Sequence, residues 1–290
     1  MGVRHRGTSQ TQALVVQPYL TNTKRLSSIV GTAAWLLFPS LAVAINVQRL
    51  EPVELETLQS VLTTLEPLIT AKKQDGTANL LTWEELYAPL NAQQQAFLDA
   101  FRALKAKELG ATSHYFGEAV DADLVPVGPQ ELLSNPDNVQ LHPQHLPREV
   151  LAAYQHMMEV MEADLGRRLF VESGYRAPAY QLYLFLFYMK NHDFSIRETN
   201  RFVALPGYSE HGYPPRQAVD FINEHGINGE YHPEAFEALL EYAWLQERAR
   251  EYGFVLSYPR GNSYNTSFEP WHWHFEGGGG QETGGEGLNN

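Results

Sequence analysis

Hydrophobic positions along this chain change their spacing several times, and each change predicts an element. Over 46–70 and 83–109 apolar residues recur at helical spacing. In the second stretch Trp83, Leu86, Leu90, Phe97, Phe101 and Leu104 carry the repeat. Residues 121–145 are richer in Pro, Asn and Asp and predict a connection with little regular structure, which is where we place a domain boundary. A helix is predicted over 147–165, opened by Pro147 and closed by Gly166. Val150, Tyr154, Met157, Met161 and Leu165 line one of its faces, a pattern that core packing explains better than a cofactor site. Residues 168–173 alternate like a strand. Pro178 opens a further helix whose 182–188 stretch is apolar all round, as in an element buried on most sides. Residues 218–222 predict a central strand, and 234–252 an amphipathic helix with Phe236, Leu239, Leu240, Ala243 and Trp244 on one side. Gly253 ends that helix, and strands follow at 254–256 and 271–275. Strands and helices mix without a regular βαβ rhythm, so the fold class is α+β.

Composition narrows the function. The formal net charge of -13 excludes nucleic acid as a natural partner, and the absence of cysteine excludes disulfides, thiolate ligands and cysteine nucleophiles. Arg4, Arg6, Lys24 and Arg25 precede an apolar run from Leu26 to Leu41, which ends in Ala42-Val43-Ala44. We read residues 1–44 as a signal peptide cleaved after Ala44; an uncleaved anchor is the alternative. The run is short for a membrane span, and no second one approaches that length, so no stable span is expected after cleavage. The Gly-rich tail 278–290 reads as disordered.

The chemistry concentrates in two remote segments. Ser209-Glu210-His211 is followed by Asp220, and Glu269-Pro270-Trp271-His272-Trp273-His274 closes the last strand. A catalytic zinc takes three nitrogen or oxygen ligands and keeps one position open; His211, Asp220 and His272 are such a set. Glu269 is then a carboxylate beside the metal and outside the ligand count, as a general base for water requires. On a strand His272 and His274 share a face, with Trp271, Trp273 and Phe275 on the other. Taken one at a time, these residues have plainer readings. The two histidines could be hydrogen-bonded at a sheet edge, Asp220 could pair with Arg216, and His211 could lie at the surface.

Ser173-Gly174-Tyr175-Arg176 with Gln181, Ser209-Glu210-His211 with Ala218-Val219-Asp220, and Glu269-Pro270-Trp271-His272 together resemble the VanY-type D-alanyl-D-alanine carboxypeptidases in order and approximate spacing. That group of zinc peptidases also includes the D-Ala-D-Ala dipeptidases and the hedgehog fold. The likeness covers roughly 125–277. It implies a hedgehog-like catalytic domain with a central antiparallel sheet, preceded by a helical region at 45–124 that the resemblance does not cover. It implies Zn2+ held by His211, Asp220 and His272, Glu269 as base, and Arg176 facing the scissile carbonyl. Ser209 and Gln181 would be substrate-binding or supporting positions. The implied substrate is a peptidoglycan stem peptide, and the implied location is the periplasm or cell envelope.

Two departures from the family stand out. Eight residues, 212–219, separate His211 from Asp220 where the family has six, and Arg216 stands in place of a glycine. His274 occupies a position that is usually arginine, which leaves His272 and His274 both open as the third ligand. A metal-free wall-binding or regulatory module on the same fold is the competing reading, with Arg216 as the cation for Asp220. A dipeptidase or a stem-peptide endopeptidase is the alternative within the enzyme class.

Overall fold

A computed structural model describes residues 45–118, 121–133, 137–264 and 266–277. The predicted signal peptide (1–44) and Gly-rich tail (278–290) lie outside the described residues.

Helix α1 (Pro52–Gln74) starts at a capping box between Glu51 and Glu54 and buries Leu58, Val61, Leu65 and Ile69. The helix expected over 83–109 is instead three pieces: α2 (Trp83–Tyr87), α3 (Ala92–Arg102) and a 3-10 turn at Ala106–Leu109. The break follows from local chemistry. Pro89 cannot continue a helix, and Asn91 starts the next one by accepting a hydrogen bond from the Gln94 N–H.

The segment 121–145 is more ordered than expected. It holds β1 (Leu124–Pro126), β2 (Glu131–Leu132) and β3 (Val139–Gln140), and leads into β4 (His145–Pro147). β1 pairs with β4, and β2 with β3, in two small antiparallel sheets. These strands are two or three residues long, too short to show periodicity.

Helix α4 (Arg148–Leu165) begins one residue after Pro147 and ends at Gly166, whose φ of 67° suits a residue without a Cβ. Met157 and Met161 are fully buried core residues, as their spacing predicts, and Met158 is buried beside them. Next come β5 (Leu169–Ser173), α5 (Pro178–Tyr188), α6 (Ile196–Thr199), β6 (Ala218–Asn223), α7 (Pro233–Glu237), α8 (Leu240–Arg248), β7 (Phe254–Leu256) and β8 (His272–Phe275). The helix expected over 234–252 breaks between α7 and α8. The break changes the helical phase, so Leu240 and Ala243 face outward, while Tyr242, Trp244 and Leu245 pack inward.

The main sheet is antiparallel with strand order β5-β6-β8-β7. The class is α+β with a helical N-terminal region, as the sequence predicts. Two apolar clusters support it. One joins α1–α3 to α5 through Leu58, Leu65, Leu98 and Phe101 against Leu182, Phe185 and Leu186. The other packs α4 and α8 on the sheet through Val150, Tyr154, Phe221, Trp244, Phe254 and Trp273. The helical region thus shares a core with the helix that directly follows Arg176.

Candidate metal centre

The register of the sheet begins the assembly. Asp220 in β6 lies opposite His272 in β8, so both side chains rise from the same face. His272 Nδ1 is 2.8 Å from Asp220 Oδ1. The 3-10 turn Glu210–Gly212 brings His211 in beside them, with Nε2 at 3.0 Å from Asp220 Oδ2. His211, Asp220 and His272 each offer a ligand atom, all within 4.8 Å of one another. His274 is absent from this group. The added residues of the 212–219 loop are taken up by a second 3-10 turn, Pro214–Arg216, and the three ligand candidates still meet.

Each ring is oriented from behind. His211 Nδ1–H donates to the Gly174 carbonyl at 2.7 Å, which leaves Nε2 unprotonated and aimed at the cluster. Among the described residues that buried Nε2 has no hydrogen-bond partner, although it lies close to Asp220. Two acceptors that approach without a proton between them are what a shared metal ion needs. His272 Nε2–H donates to Glu210 at 3.0 Å, which turns Nδ1 toward Asp220. A histidine bonded to a carboxylate on its far side is the usual support for a metal-binding ring. The donor set therefore fits a divalent cation on the geometry of its own atoms.

The electrostatics of the site follow from the same contacts. Burial and the nearby Arg176 guanidinium hold His211 down to about 4, so the ring is neutral and its lone pair available. His272 is driven up to about 10; burial opposes this, but Asp220 and Glu210 flank the ring and outweigh it. Asp220 is held well below the usual carboxylate range by His211 and His272 despite its burial. In the metal-free protein the protonated His272 offsets Asp220 and Glu210, and a bound metal would take the place of its Nδ1 proton.

Glu269 lies just beyond the ligand candidates, its Oε2 3.8 Å from His272 Nδ1. Burial pushes its carboxyl up to about 7, with further repulsion from Asp220 and Glu210 against the pull of His272 and Arg176. Its proton affinity is thus close to that of a neutral-pH base. Arg176 NH2 is 3.8 Å from Asp220 Oδ2. The cation beside Asp220 is therefore Arg176, whereas the alternative sequence reading placed Arg216 there. Arg216 bonds Glu210 at 2.8 Å and Glu276 at 3.1 Å instead.

The other two expected site residues are less central. Ser209 is buried and precedes the Glu210–Gly212 turn without capping it. Gln181 is buried in α5 and donates to the Ala204 carbonyl at 2.8 Å, which ties α5 to the loop leading into Ser209.

Two supporting residues escaped the sequence reading. Glu210, 3% exposed, bonds both His272 and Ser257. A carboxylate wedged between Ser209 and His211 was the available signal. Asn79, from the helical region, donates its Nδ2 to the Tyr175 carbonyl and accepts the Ala177 N–H at its own carbonyl, bracketing Arg176. No local pattern marks it, because the contact spans 96 positions.

The model of the VanY family, D-alanyl-D-alanine carboxypeptidase, matches residues 143–278. This part of the chain is similar to the VanY family. All three ligand candidates, Glu269 and Arg176 fall inside the matched segment, and α1–α3 fall outside it. The chain is 29% identical over 143 residues to the putative carboxypeptidase YodJ of Bacillus subtilis (strain 168), covering 48% of this chain and 49% of that protein. It is 28% identical over 146 residues to the bifunctional D-Ala-D-Ala dipeptidase and carboxypeptidase VanXYC of Enterococcus gallinarum, covering 47% of this chain and 70% of that protein. The chain thus spans about half the length of YodJ. Among solved structures, the LdcB LD-carboxypeptidase shares 26% identity over 55% of this chain and 70% of its own, with a TM-score of 0.41. A VanY D,D-pentapeptidase from a VanB-type resistance cassette, solved with Zn(II), shares 25% over 54% and 80%, with a TM-score of 0.40.

Proposed function

We propose that this chain is a zinc-dependent D-alanyl-D-alanine carboxypeptidase that removes the terminal D-alanine of peptidoglycan stem peptides. The observation that carries this reading is the convergence of His211, Asp220 and His272 with an unpartnered His211 Nε2, inside the VanY-matched segment. Two imidazole nitrogens and one carboxylate suit zinc.

His211, Asp220 and His272 would hold the metal, which when bound supplies Lewis-acid activation of water and of the amide carbonyl. Glu269 takes a proton from the attacking water and later delivers it to the leaving amine of D-alanine. Its near-neutral proton affinity suits both transfers. Arg176 supplies positive charge for the oxygen of the tetrahedral intermediate. Asn79 and the Ala177 N–H keep the Arg176 segment in place, so the helical region at 45–124 contributes to positioning. The division into that region and a peptidase domain at 125–277 belongs to this proposal. So does action in the envelope after removal of residues 1–44. Among the described residues no helix is long and apolar enough to cross a membrane.

The test is incubation of purified protein with a defined pentapeptide stem, with and without a chelator, reading products by mass. Release of a single D-alanine, abolished by chelation and restored by zinc, is the expected result. Release of the dipeptide, or cleavage within the stem, would assign the site to a dipeptidase or endopeptidase. No cleavage and no bound zinc would assign it to a non-catalytic module.

A further inference from the structure

The two departures from the family pattern, Arg216 in the lengthened loop and His274 on the last strand, meet in space. Arg216 Nε donates to Glu210 Oε1 at 2.8 Å, its NH1 reaches Glu276 Oε1 at 3.1 Å, and its NH2 lies 3.3 Å from His274 Nδ1. His274 completes the ring by facing Glu276 through Nε2 at 2.9 Å. Glu210 Oε2, on the other edge of the same carboxylate, takes the His272 Nε2–H at 3.0 Å and the Ser257 hydroxyl at 2.6 Å.

Glu210 has only one guanidinium against it among the described residues. Without that fixed cation only the Ser257 hydroxyl would hold the nearly fully buried carboxylate in the orientation that accepts the His272 Nε2–H. His274 lies against Arg216 through Nδ1 and against Glu276 through Nε2, and so closes the far side of the ring.

We propose that Arg216 is a positioning residue for the metal centre. From the loop between two ligand candidates it fixes the Glu210 carboxylate, which fixes His272 with Nε2 protonated and Nδ1 presented beside Asp220 and His211. The lengthened loop is thus a built part of the site. This inference rests on the zinc-peptidase reading above.

The test is zinc affinity, measured on full-length protein by competition with a chromophoric chelator, together with the visible spectrum of the cobalt(II)-loaded form. Arg216→Ala is expected to weaken zinc by ~10–100-fold and to change the cobalt spectrum. Glu210→Gln is expected to do the same. The double variant should lose no more than the larger single loss, because both act on His272 through one path. Should Arg216→Ala not fold, Arg216→Gln is read by the same two measurements. Unchanged affinity and an unchanged spectrum in the Arg216 variant, or additive losses in the double variant, would overturn the proposal while leaving the peptidase reading intact. A wild-type chain that binds no zinc would overturn both, and is a distinct result.

Discussion

His272 and His274 stand two residues apart on the same face of β8, and their surroundings differ completely. His272 faces Asp220, His211 and Glu269, with a single carboxylate, Glu210, behind it. His274 is enclosed by Ser257, Arg216 and Glu276 and has no place in the ligand cluster. The first region gathers groups whose proton affinities are pulled far from their ordinary values: His211 down, His272 and Glu269 up. The second satisfies its charges in a closed ring of ion pairs and hydrogen bonds. Strand periodicity put the two imidazoles on one face, and the loop residues reaching them gave each its role.

The strongest way to break this comparison is at Glu269. Glu269→Ala should lower kcat by ~10²–10⁴-fold with zinc still bound, read by D-alanine release and metal analysis on the same preparation. Near-normal turnover would remove Glu269 from the base position.

The two histidine surroundings can be separated next. His211→Ala should abolish stoichiometric zinc binding. His274→Ala should keep zinc, and should cost about 1–3 kcal/mol of stability for the buried partners it leaves unpaired. Zinc loss in the His274 variant and retention in the His211 variant would reverse the assignment.

Gly174 sharpens the same point from further away. Its carbonyl accepts the His211 Nδ1–H, and a Cβ there would lie 2.5 Å from the His145 carbonyl oxygen. Gly174→Ala must therefore move the backbone that orients His211. A loss of zinc affinity of ~10-fold or more is expected by chelator competition.

The pH response tests the His272 side alone. Activity as kcat/KM should rise with pH through about 7 as Glu269 ionises. Glu269 binds its proton more tightly folded, at about 7, than in the unfolded chain at 4.5. The resulting stability is whole below pH 4.5 and falls away as pH rises through 7, by about 3 kcal/mol. Glu269→Gln should thus raise the Tm of chelated protein at pH 8 and change it little at pH 4. Equal shifts at both pH values would contradict the buried carboxylate.

The smallest effect belongs to neither region. Leu240, assigned to a packing face by periodicity, is 58% exposed. Leu240→Gln should change stability by no more than ~0.5 kcal/mol in denaturant unfolding.

The sequence by itself determined much of this protein. The all-round apolar run in α5, the Met-lined face of α4 and the alternating strands were legible because burial imposes a local period. The ligand candidates were legible because zinc, a base and an oxyanion partner demand particular residue types. Only the tertiary structure decided the rest. The helix breaks near Pro89 and between α7 and α8 turn on a few residues, so a window average misses them. The choice of His272 over His274 came from loops that reach β8 from elsewhere in the chain, and the supports at Glu210, Arg216 and Asn79 are contacts between distant segments. A linear pattern records which face a side chain occupies; it carries no record of which remote group will meet it there.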